Sequence, residues 1–213
     1  MSGIRAVLFD FGGVLAEEGF GHGLEALARE QRLAVEDMTA EGMQAVYDCG
    51  FVLGKGTASD FWALLRRRTG LAGDDKELTD RILDGFIVRP WMLELAERLR
   101  ALGYITGILS DQTDWLGRLD ARYHFYRLFD RVYNSYYLGK GKRDPSLFSD
   151  VAVDLGLPPA AILFVDDNPG NVARAEAMGL RGIRYVDREG FTQALQAQLA
   201  AQPPRGGTAG SSR

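Results

Sequence analysis

Three short apolar runs in this chain each end on a polar residue: Val7-Leu8-Phe9-Asp10, Gly107-Ile108-Leu109-Ser110 and Leu163-Phe164-Val165-Asp166. Unbroken apolar runs of this length are strands covered on both faces, the texture of a parallel sheet. Between them the pattern turns helical. Pro90 opens a helix that carries Leu93, Leu95, Ala96 and Leu99 and is ended by Gly103; Pro145 to Leu155 and Pro169 to Met178 read as further helices, the latter stopped by Gly179. Strands are expected over Ile4 to Phe9, Ile105 to Leu109, Val132 to Asn134, Ile162 to Val165 and Ile183 to Val186, with a last helix from Phe191 to Leu199. This alternation predicts an α/β fold: a Rossmann-like parallel sheet with right-handed crossovers and helices on both faces.

From Gly21 to about Gly85 the pattern is helical throughout, with breaks near Arg32-Leu33, Gly54-Lys55-Gly56 and Gly70 to Asp74. Leu24, Leu27 and Ala28 form one helical stripe, and Phe61, Trp62, Leu64 and Leu65 another. A small all-helical cap inserted after the first strand is therefore expected over residues 17–89, with 1–16 and 90–200 forming the core. Residues 201–213 offer little to bury and are expected as a disordered tail.

Charge and cysteine usage exclude several classes. A net charge of −4 argues against a nucleic-acid partner, which would need an excess of Lys and Arg. Arg66-Arg67-Arg68 reads as a solvated helix face. The first apolar run is too short for a signal peptide, and no run approaches the roughly 18 apolar residues of a membrane helix. Cys49 is the only cysteine, so an internal disulfide and a cysteine metal cluster are both ruled out. A cytoplasmic protein is expected. The pattern does not set an oligomeric state.

Side chains at the carboxyl ends of neighbouring parallel strands converge on one crevice. Asp10, Ser110 and the Asp166-Asp167 pair all stand where a strand run stops, and Gly12 and Gly13 let the backbone turn sharply after Asp10. Each has a plainer reading: Ser110 or Thr113 as a helix cap, Asp10 as a turn cap, Lys142 as a solvated lysine, and Asn168-Pro169 as a cap and first helical residue. The adjacent aspartates are harder to explain that way, because they repel each other unless a cation sits between them.

The order of these motifs resembles the haloacid dehalogenase-like hydrolase superfamily, from about Ile4 to Val186. The resemblance is to the phosphatase branch with a small helical cap after strand one, which includes sugar-phosphate phosphatases and the phosphatase domain of soluble epoxide hydrolases. Phe9-Asp10-Phe11-Gly12-Gly13-Val14-Leu15 matches the first motif and Ile108-Leu109-Ser110-Asp111 the second. Gly139-Lys140-Gly141-Lys142-Arg143-Asp144-Pro145 matches the third and Phe164-Val165-Asp166-Asp167-Asn168 the fourth.

The resemblance implies a phosphatase acting on a small phosphorylated metabolite, such as a sugar phosphate, with Asp10 as nucleophile. It implies Mg²⁺ held by Asp10, the Gly12 carbonyl, Asp167 and, directly or through water, Asp166. Gly12, Gly13, Ser110, Asp111 and Lys142 are the implied phosphate-binding set. Two departures stand out. Arg143 replaces the proline usual after the third-motif lysine, which leaves Lys140 as a rival to Lys142. Gly12 replaces the usual acid–base aspartate, for which Glu17, Glu18 and His22 are candidate substitutes. A non-catalytic binding member and a metal-independent 2-haloacid dehalogenase are the alternative functions.

Overall fold

The computed structural model describes residues 3–200; the tail expected over 201–213 lies outside the described residues. Five strands form one sheet: β1 (Ala6–Phe9), β2 (Ile105–Ser110), β3 (Arg131–Asn134), β4 (Ile162–Asp166) and β5 (Arg181–Arg184). Their order is β3-β2-β1-β4-β5 and every pairing is parallel. The α/β Rossmann-like expectation holds. Phe9 lies opposite Ile108 on one side and Val165 on the other, so the residues that follow these strands emerge side by side. The chain leaves β1 for β2 and β3 and returns to β4 on its other flank. That reversal opens a crevice at the carboxyl ends.

Alternation along β1 feeds two cores. Val7 and Phe9 join the apolar cluster that includes α5 (Pro90–Ala101), α6 (Trp115–Tyr123) and α10 (Arg188–Ala200). Ala6 and Leu8 join the other, with Phe148 of α8 (Ser146–Leu155), Phe164, and Ala175 of α9 (Pro169–Ala177). Helices thus cover both faces.

Four helices lie between β1 and α5: α1 (Gly19–Gln31), α2 (Val35–Asp48), α3 (Ala58–Thr69) and α4 (Asp75–Asp84). Their boundaries follow local chemistry. Thr57 and Asp60 form a reciprocal capping box at the start of α3, Gly70 ends that helix in the left-handed region, and Asp74 caps α4. Leu24, Leu27, Phe61, Trp62 and Ile82 bury their stripes in the cluster that reaches Phe9 and Phe11. Arg66 and Arg68 pair with Asp75, Glu41 and Asp48 on the surface, as a solvated face should.

The last strand falls two residues earlier than its apolar pattern suggests. It is an edge strand paired only with β4, and Ile183 is its one buried residue, so pairing register rather than hydrophobicity sets its limits. Helix α6 buries Trp115, Leu116 and Leu119 as a short stripe that the sequence pattern does not single out. Among the described residues, no helix is long and apolar enough to cross a membrane.

Candidate active site

Asp10 leaves β1 with its backbone N–H donated to the Val165 carbonyl at 2.8 Å, which fixes its side chain at the crevice. Its Oδ1 accepts from the Phe11 N–H at 2.8 Å and from the Ser110 hydroxyl at 2.5 Å. Lys142 Nζ lies 2.8 Å from Asp10 Oδ2 and 2.6 Å from Asp166 Oδ2, with the lysine side chain only 2% exposed. One buried ammonium therefore serves two buried carboxylates. Burial disfavours its charge, but Asp10, Asp166 and Asp111 outweigh that and push the Lys142 pKa up. Asp10 receives only a share of the ammonium. Burial raises its carboxyl, Lys142 opposes, Asp166 adds to the rise, and the balance is about 7.

Asp166 and Asp167 are neighbours with different surroundings. Asp166 is fully buried and bonded on both oxygens: Oδ1 accepts from the Asn168 N–H at 2.8 Å and Oδ2 from Lys142, while the Asn171 amide donates to both at 3.1 and 3.0 Å. Asp167 is half-buried, and burial followed by the Asp166 charge raises its pKa. Its carboxylate packs on Gly13, where a Cβ would lie 2.3 Å from Oδ2, and Gly13 has φ +78°. Glycine is needed there on both counts. Gly12 is different: its φ is not in the left-handed region, and a Cβ would meet only Gln112 Nε2 and Phe86 Cε1 at 3.7 Å. Asp10, Asp166 and Asp167 each offer an oxygen within 4.8 Å of the others.

The structure separates the rival residues. Lys140 pairs with Asp150 and with the Ser146 hydroxyl, away from Asp10, so only Lys142 reaches the carboxylates. Glu17 is clamped by Arg89, at 3.2 Å to Nε and 2.8 Å to Nη2. Glu18 lines the pocket that holds Asp10 and Gly12, while Glu17 and His22 are not part of its lining. Glu18 Oε2 caps α1 through the Gly21 N–H at 2.7 Å; burial raises its pKa and this cap opposes the rise. Asp111 lines the same pocket and ties the loops together: Oδ1 accepts from the Lys142 N–H at 2.8 Å and Oδ2 from the Tyr47 hydroxyl at 3.0 Å.

Several contributors escaped the sequence reading. Arg89 Nη1 donates to the carbonyls of Gly13 and Val14 at 2.7 Å and of Ala16 at 3.1 Å, holding the turn after Asp10. Asn171 fixes Asp166, and Arg174 Nε holds the Lys142 carbonyl at 2.8 Å. Arg143 stacks on Tyr47, with its guanidinium carbon 3.4 Å from the ring centre. The Pro169 helix start places Asn171 and Arg174 on the first turns of α9, and the third-motif departure marks Arg143 without its partner Tyr47.

The haloacid dehalogenase-like hydrolase family profile matches residues 4–179. The chain belongs to that family. It is 25% identical over 186 residues to a sesquiterpene phosphatase of Aspergillus oryzae, covering 86% of this chain and 90% of that one. It is 30% identical over 145 residues to an (S)-2-haloacid dehalogenase of Burkholderia cepacia, covering 62% of this chain and 61% of the relative. The chain spans less than two thirds of the length of four of the curated relatives it matches. A magnesium complex of a HAD family enzyme from Bacteroides thetaiotaomicron shares the fold, with TM-score 0.71 at 22% identity over 92% of this chain and all of that one.

Proposed function

We propose that this protein is a Mg²⁺-dependent phosphatase of a small phosphorylated metabolite, acting through an aspartyl phosphate on Asp10. The observation that carries the reading is the Lys142 ammonium shared between Asp10 and a fully bonded Asp166, at the foot of a pocket. This leaves Asp10 as an oriented nucleophile and, among the described residues, the Asp167 carboxylate in no direct ion pair.

The donor set fits Mg²⁺. Asp10, Asp167 and the Gly12 carbonyl are hard oxygens, and Mg²⁺ keeps several waters, so few protein ligands suffice. Asp166, bonded on both oxygens, would act through Lys142 and Asn171 or through water. When bound, the ion would offset negative charge on the phosphoryl oxygens. An Asp10 oxygen attacks phosphorus, the ester P–O bond breaks, and the leaving oxygen takes a proton; water then attacks phosphorus, releasing phosphate and the Asp10 carboxylate. Ser110 holds Asp10 and lies beside the phosphoryl position, and Lys142 balances the charge gathered there. Glu18 is the carboxyl we assign to proton transfer in place of the missing aspartate at Gly12. Residues 17–89 act as the cap that closes over this chemistry.

The test is release of inorganic phosphate from an aryl phosphate. Wild type should require Mg²⁺ and lose activity in EDTA, and a folded Asp10→Asn protein should be inactive. Halide release from a 2-haloacid without metal, in place of phosphate release, would transfer the assignment to the dehalogenase reading.

A further inference from the structure

The pocket above Asp10 has a volume of about 290 Å³, near the lower end of the roughly 300–1,000 Å³ of ligand sites. Its lining divides by origin. The strand-end loops and the first turns of α9 supply the polar part, including Asp10, Gln112, Lys142, Asn168, Asn171 and Arg174. The segment between β1 and α5 supplies Phe20, Met43, Val46, Val52 and Phe86, to which Trp115 at the start of α6 is added. Val46, Val52, Phe86 and Trp115 are each buried.

Two polar side chains from that segment also line the pocket, and both are engaged. Glu18 Oε2 accepts from Gly21, and the Tyr47 hydroxyl donates to Asp111. The positive groups, Lys142, Arg143 and Arg174, cluster with the polar loops, where a phosphate belongs. Hydroxyls of a polyhydroxylated leaving group that face this segment would press against carbon and stay unpaired, a costly exchange with water, although the Gln112 amide beside Phe86 offers one polar partner at its edge.

We propose that the substrate is the phosphate monoester of a compact apolar alcohol, the hydrocarbon part lying against Phe20, Met43, Val46, Val52, Phe86 and Trp115. This rests on the phosphatase reading and names its substrate class, replacing the sugar phosphate suggested by the family resemblance. Phosphate is transferred as described above, and the apolar alcohol leaves with the proton.

Two measurements on the whole protein test it. In the first, kcat/KM is compared for n-alkyl phosphates of increasing length and for glycerol and glucose phosphates of similar leaving-group basicity. It should rise by about fourfold per methylene until the pocket is filled, and the polyol esters should fall below an alkyl ester of similar size by about 10²-fold or more. In the second, non-hydrolysable alkylphosphonates are titrated while heat release is followed by calorimetry. Kd should fall with chain length, and the isosteric Val46→Thr and Val52→Thr variants should each weaken the longest phosphonate by about tenfold relative to methylphosphonate. Polyol phosphates turned over as well as alkyl phosphates, or phosphonate affinity independent of chain length, would overturn the inference while leaving the phosphatase intact. Length-dependent binding with no hydrolysis of any phosphate would instead uphold the apolar site and overturn the phosphatase reading.

Discussion

Replacing Asp10 by Asn should make the protein progressively more stable than its parent as pH rises. Asp10 is 8% exposed and shares one ammonium with Asp166. In the unfolded chain its carboxyl titrates near its ordinary 3.8, and in the folded protein near 7. Between those values the folded state holds a proton that the unfolded state has released, so this group costs stability as pH rises through the window. The full difference amounts to about 4 kcal/mol above pH 7. Asparagine keeps the shape and does not titrate. The attraction of Lys142 for ionised Asp10 is already contained in the folded-state value, and in the variant Lys142 retains Asp166. Denaturant unfolding of both proteins in EDTA from pH 4 to 8 reads the difference directly. The variant should gain about 2–4 kcal/mol on the parent across that range. A gap that stays flat, or that moves against the variant, would show that Lys142 holds Asp10 ionised throughout.

Other substitutions separate neighbouring residues. Lys142→Ala leaves two buried carboxylates unpaired and should cost about 3–5 kcal/mol along with phosphate release, whereas Lys140→Ala should melt with the parent; thermal unfolding and a phosphate assay check both. Gly13→Ala should displace Asp167 and weaken Mg²⁺ binding in a calorimetric titration. Gly12→Ala should melt close to the parent, since its Cβ finds ordinary contacts at 3.7 Å. Glu18→Gln keeps an oxygen for the Gly21 cap but cannot give up a proton. It should slow alkyl phosphates by about 10²–10⁴-fold and aryl phosphates far less, read as a steeper dependence of rate on leaving-group pKa.

What the sequence made legible were the groups tied to strand ends. Asp10, Ser110 and Asp166 could be placed together because parallel strands bring their carboxyl ends to one line, whereas Lys142 entered only through the resemblance of its segment to the family's third motif. The choice among neighbours was not legible, since it depends on distant partners. Glu17 and Glu18 look alike until Arg89, 72 residues further on, takes one of them. Asp166 and Asp167 differ because Lys142 and Asn171 converge on the first. The Gly12-Gly13 pair hides a difference in φ that only the folded turn reveals. Tyr47, Arg143 and Arg174 carry no local pattern, because their roles arise from stacking and from carbonyls reached across the crevice. The apolar character of the pocket was hidden in the same way: Phe20, Val46 and Val52 lie on separate elements and face one space only after folding.

The central claim, that phosphate passes through Asp10, is tested most directly by trapping the intermediate. The protein is mixed with acetyl phosphate and Mg²⁺, quenched in acid during turnover, and digested for mass spectrometry. One phosphoryl group should appear on the peptide carrying Asp10, disappear with hydroxylamine, and be absent from Asp10→Asn. Turnover with an unmodified Asp10 peptide, or with the phosphoryl group on Ser110, would contradict the account.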